Sequence, residues 1–139
     1  MNQRIHVELD GVAASGVMHD EAARVSATRF LATLPVETTM RHVRWSGEAG
    51  YILIHELADP SIAIENPVSF YPPGSLIFRP EHGELAFAYG QAQARDGMQR
   101  SASATHLATF DTNVSEFMER VAATCHEGGK TIRISLEKA

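Results

Sequence analysis

The chain has 139 residues, 44% of them hydrophobic and 21% charged, with 17 acidic against 12 basic side chains and a formal charge of −5. That length suits one domain spanning residues 1–139 with a proper core. Lys and Arg nowhere cluster as phosphate-backbone binding requires, which excludes nucleic acid as a partner, and no apolar run reaches the roughly 20 residues of a membrane span.

Strand signals open the chain. Ile5, Val7 and Leu9 alternate with His6, Glu8 and Asp10, so one face is apolar. Asp10-Gly11 accepts the positive φ of a two-residue hairpin turn, with a return strand to about Met18. Asp20 is placed to cap a helix from Glu21 to Leu34, whose buried stripe is Ala23, Ala27, Phe30 and Leu34, and Pro35 follows its end. A strand is expected over Met40–Ser46, with Val43 and Trp45 on one face and His42, Arg44 and Ser46 on the other. Tyr51-Ile52-Leu53-Ile54 is a continuous apolar run, as in a strand covered on both faces.

Residues 56–75 carry Pro60, Pro67, Pro72 and Pro73 and end near Gly74, so an extended loop is expected there. Strands resume at Leu76–Phe78 and Leu85–Tyr89, and a polar Gln/Ala/Ser-rich stretch runs from Gly90 to Ala104. Thr105–Phe110 reads as a strand. Asn113 and Glu116 have the spacing of a capping box, followed by the apolar face Val114, Phe117, Met118, Val121, Ala122 and Cys125, with Gly128 as the stop. Gly129–Ile134 closes the series. About eight short strands and two helices predict a mainly β fold, a closed barrel capped by the helices, because closure removes exposed sheet edges.

The last third resembles cyclophilins, in which a "HVVFG" strand precedes a helix carrying "AMER" and an isoleucine-rich strand ends the barrel. Met40–Trp45 is similar to their "FHRV" strand, and Tyr71–Ile77 to "GPGxLSMAN". A closer resemblance is to small bacterial cyclophilin-like proteins of unknown function that combine "H-x-R-W-S-G-E", "Y-P-x-P-G-D-L" and "YG". Here those read as His42–Glu48, Tyr71–Leu76 and Tyr89-Gly90, with Ser75 where the group has Asp. The resemblance implies a cyclophilin-like barrel with a groove on its outer face. Arg44 matches the cyclophilin arginine that polarises the prolyl amide, and His106 matches the histidine of "HVVFG". The Phe-Met-x-Gln segment has no counterpart, since Tyr51–Ile54 lacks a glutamine. Arg100-Ser101-Ala102 stands where a tryptophan would precede the histidine. Prolyl isomerisation at a cyclophilin's rate is therefore not expected.

The implied function is binding of a small carboxylate- or amide-bearing molecule or peptide by Arg44, Tyr71, Tyr89 and His106. Weak residual prolyl isomerase activity and a non-catalytic assembly module are the alternatives. Plainer roles stand beside these: Arg44 as a solvated exterior residue, His106 as a hydrogen-bonded rim histidine, Trp45 as core. Cys125 completes an apolar stripe and reads as core rather than nucleophile. No metal and no cofactor are expected, because the seven histidines show no H-x-H or H-x-x-x-H pair and zinc needs three or four convergent ligands. A single cysteine rules out an internal disulfide, and Met1-Asn2-Gln3-Arg4 lacks an apolar leader, so the expected location is the cytoplasm. Ile62, Ile64, Val68, Phe70 and Tyr71 on one Pro-rich segment predict a homodimer or higher homo-oligomer.

Overall fold

The computed structural model describes residues 2–97 and 102–138. Its elements run β1 (Arg4–Leu9), β2 (Val12–Met18), α1 (Arg24–Leu31), β3 (Val36–His42), β4 (Gly47–Leu53), β5 (Pro67–Val68) and β6 (Phe70–Tyr71). They continue with β7 (Ser75–Arg79), β8 (Glu84–Gln93), β9 (Ala104–Thr112), α2 (Val114–Glu127) and β10 (Lys130–Leu136). Eight strands pair in the order β2-β1-β10-β3-β4-β8-β7-β9, and β9 returns to β2, closing an antiparallel barrel. The short β5 and β6 add to β9 and β8.

Period-two alternation sorts side chains between the two faces of the wall. Ile5, Val7, Leu9, Ile132, Ile134, Leu76, Phe78, Leu85 and Phe87 point into one core. Phe117 of α2 joins it, tilted against Phe110 at 5.2 Å and edge-on to Phe87 at 6.0 Å. The Asp10-Gly11 turn is as predicted, with φ of +51° and +81°. Outward-facing Ala49, Ile77, Ala86 and Ala88 form a second apolar layer on β4, β8 and β7, covered by Tyr71, Ala92, Ala94 and Ala104. The Pro-rich segment therefore lies on the barrel: Ile62, Ile64 and Val68 are half-buried and Tyr71 is buried.

Several expectations are corrected. The strand placed over Met40–Ser46 stops at His42, because Val43 N–H already bonds the Ala49 carbonyl (3.0 Å) and the chain turns there. Trp45 is thus 47% exposed rather than core. Tyr51–Ile54 is not covered on both faces, since Ile52 is buried and Leu53 exposed. The first helix is shorter than Glu21–Leu34. Asp20 does not cap it but accepts from Gln3 N–H (2.6 Å), and Glu65 caps instead, accepting from Val25 N–H (3.2 Å) and Ser26 N–H (2.8 Å). The capping box on α2 does not form. Asn113 sits at φ +55° with its amide donating to the Ala13 carbonyl (2.8 Å), which turns it from the first-turn amides.

Cys125 is exposed; Thr124 takes the buried position, its hydroxyl satisfied by the Val121 carbonyl at 2.7 Å. The polar stretch from Gly90 begins as strand, since β8 runs to Gln93. Arg100 and Ser101 lie outside the described residues. No helix among the described residues is long and apolar enough to cross a membrane.

Candidate binding cleft

A β-bulge shapes the barrel's outer face. Register between β4 and β8 shifts from Gly47 to Ala49, and the bulged Glu48 accepts from Gln91 N–H (2.8 Å). Gly47 has φ +108°, and a Cβ there would lie 2.4 Å from the Gln91 carbonyl oxygen, so only glycine lets β8 come this close. The bulge swings the β3–β4 loop outward and leaves a cleft of about 490 Å³ between that loop, β6 and the end of β8. Trp45 and Phe70, the latter 74% exposed, stand on its walls, with Tyr71, Gly90, Ala92 and Arg95 among the other lining residues. With its amide oxygen toward Arg95, Gln93 accepts from that guanidinium at 2.6 Å.

Beneath the same cover lies a buried polar group. Arg79 ends β7, is 4% exposed, and donates to the Arg95 carbonyl (2.6 Å), to Asp96 and to Glu81 (3.1 Å). Its Nε, the Tyr71 hydroxyl and the Ser75 hydroxyl are all buried without a hydrogen-bond partner among the described residues. Burial holds the Tyr71 phenol well above its ordinary range, with the Arg79 charge opposing. Burial likewise raises the Glu84 carboxyl, again opposed by Arg79.

A third cluster joins β9 to the turn after β2. His19 and His106 meet edge-on with ring centroids 4.6 Å apart, and both Nε2 atoms reach the Thr109 hydroxyl, at 2.8 Å and 3.3 Å. One hydroxyl proton serves one ring, so the other must donate to the oxygen, an arrangement suited to neutral imidazoles. Burial lowers both pKa values; for His106 the neighbouring His19 adds to the effect, and for His19 the Asp20 charge opposes it.

The four residues expected to share one groove stand in separate places. Tyr71 lines the cleft. Arg44 is exposed on the β3–β4 loop beside Trp45. His106 belongs to the His19–Thr109 cluster. Tyr89 faces inward from β8, opposite Ala88, and its hydroxyl meets His42 Nε2 at 2.8 Å; His42 Nδ1 in turn donates to the Val43 carbonyl (2.8 Å). Sequence reasoning missed Arg79 and the His19 partnership. Arg79 carried a faint signal, a charge at the end of the apolar run Leu76–Phe78 in the outward register of Ile77.

Two other features hold less chemistry. A groove of about 510 Å³ lies along His6, Glu8, Pro35 and Arg133, where neighbouring strands already set Glu8 opposite Arg133. Glu81, His82 and Asp96 place three ligand atoms within 4.8 Å of one another, yet the Arg79 guanidinium bonds both carboxylates.

A family model described as "Protein of unknown function (DUF3830)" matches residues 5–136. The chain belongs to the DUF3830 family. No curated protein matches it. Solved structures similar to this DUF3830 chain include that of the hypothetical protein AF2241 from Archaeoglobus fulgidus, with TM-score 0.69 at 12% identity over 98% of this chain and 95% of that one. Another is McbB in complex with tryptophan, with TM-score 0.70 at 16% identity over 97% of this chain and 45% of that one. Likeness at such identities concerns the fold.

Proposed function

We propose that this chain is a one-domain, cytoplasmic binding protein of cyclophilin-like fold, whose outer-face cleft holds a small molecule or peptide bearing an amide or carboxylate. One observation carries the reading: two large aromatic side chains, Trp45 and Phe70, stand exposed on the walls of a concave site over a floor of small residues. Exposed aromatics beside a few polar groups are the usual make-up of a ligand site. Tyr71 lines the site, as does Arg95. The tryptophan held by McbB is a molecule of the same chemical class, amphipathic and carboxylate-bearing.

Trp45 is the only tryptophan in the sequence, so its fluorescence reports this cleft. Titration with blocked aromatic amino acids and short peptides should shift or quench that emission saturably. An emission unchanged by every such probe at millimolar concentration sinks the reading. A prolyl peptide should bind without being isomerised at a cyclophilin's rate.

A second reading rests on Phe70 alone, the most exposed large apolar side chain of those described. A homodimer would cover it, and light scattering on Phe70→Asp would then report a loss of mass relative to the parent protein. A parent that is monomeric at high micromolar concentration removes this reading.

A further inference from the structure

We infer that the cleft recognises a carboxylate rather than a neutral amide: the ligand's apolar body lies between Trp45 and Phe70, and its carboxylate meets Arg95. The inference rests on the cleft reading and narrows its ligand class. Among the described residues that line the cleft, Arg95 is the sole cation and no acid is present. A guanidinium keeps its charge at any physiological pH and carries paired donors spaced for two carboxylate oxygens.

Local geometry sets that charge beside an aromatic wall. Phe70 on β6 stands directly across the ladder from Gln93 on β8, so the two side chains share one face of the sheet. The Gln93 amide oxygen, turned toward Arg95, accepts from its Nε and a terminal nitrogen, both at 2.6 Å. Buried Arg79 donates to the Arg95 carbonyl at 2.6 Å and pins the backbone there. Cation and apolar wall thus adjoin, which matches a ligand whose carboxylate sits next to an apolar group. The acids nearby lie outside the lining. Asp96 and Glu81 are bonded by Arg79, and Glu48 accepts from Gln91 N–H at the other end of the lining stretch of β8. An amide and a carboxylate both offer acceptor oxygens, so hydrogen bonding alone does not separate them. Charge does: a bond from a guanidinium to a carboxylate is roughly twice as strong as one between neutral groups, and only the carboxylate takes it bidentately. With a formal charge of −5, the molecule at large does not attract an anion, so the affinity of an acid hangs on this one side chain.

The test follows Trp45 fluorescence with three probes: N-acetylphenylalanine as the free acid, N-acetylphenylalanine amide, and acetyl-Ala-Ala-Phe with a free C-terminus. Both single-residue probes bind through the aromatic walls, and the acid should bind roughly tenfold more tightly than the amide, the scale of one charge-assisted bond over a neutral one. A tripeptide acid tighter than the single residue points to a peptide C-terminus; the reverse order points to a small free acid, and either agrees with carboxylate recognition. Arg95→Gln should bring the affinities of acid and amide together, whereas Arg95→Lys, which keeps the charge, should retain part of the difference. Raising the salt to roughly half-molar should narrow the acid's advantage in the parent protein, which needs no variant to fold. Amide binding as tight as acid, an advantage untouched by salt, or a preference unchanged in Arg95→Gln overturns the carboxylate site and leaves the cleft intact. If no probe perturbs Trp45, the cleft and its carboxylate site fall together.

Discussion

Three residues set sharply different demands on their positions. Gly47 combines φ +108° with a Cβ position 2.4 Å from a backbone oxygen, so Gly47→Ala should cost about 2–3 kcal/mol and open the bulge that builds the cleft. Chemical denaturation measures that directly, and a loss within a few tenths would show that the β8 backbone yields. His19 and His106 act on pH dependence. Burial holds both below the free-imidazole value of about 6.5, so the unfolded chain binds more protons as pH falls through that value. Stability from this pair is complete above pH 7 and should decline as pH drops through about 6.5 toward the lowered folded values. His19→Gln with His106→Gln should flatten the unfolding free energy between pH 7 and 5; an unchanged slope would detach it from these rings. The sequence singled out His106 by resemblance. Nothing in it paired that residue with His19, 87 positions earlier, because the pairing follows from barrel closure between β2 and β9.

At the scale of elements, local signals were read well where the local chain decides, and poorly where a distant residue does. The β1–β2 hairpin is legible because alternation and Asp10-Gly11 agree. α2 is legible because Phe117, Met118 and Val121 repeat one apolar stripe and Gly128 takes φ +85° at its end, although Cys125 falls outside that stripe. The start of α1 was misread since Glu65, not the neighbouring Asp20, meets its free amides. Glu65→Ala should therefore cost about 1 kcal/mol in thermal or chemical unfolding, the scale of a lost N-terminal cap, while Asp20→Ala should leave those amides satisfied. Equal costs for the two would contradict the assignment. Trp45 was taken for core because it continues the alternation of Met40–Val43. The turn that ends that alternation, where Val43 N–H bonds the Ala49 carbonyl, is a backbone event with no side-chain signature beyond Gly47.

For the whole molecule, eight strands and two helices follow from pattern and length, whereas the site depends on how two irregular segments lie over one face of the closed barrel. Tyr71 on β6 and Trp45 on the β3–β4 loop, 26 positions apart, line the same cleft, and neither periodicity nor turn chemistry encodes that convergence. The central claim is that this face, and not the groove along His6 and Arg133, is the binding surface. Amide chemical shifts of isotope-labelled protein titrated with N-acetylphenylalanine amide test it most directly. The account predicts saturable shifts at Trp45, Phe70, Gly90, Gln91 and Arg95, with His6, Glu8 and Arg133 unmoved. Shifts confined to His6, Glu8 and Arg133, or to neither face, would contradict it.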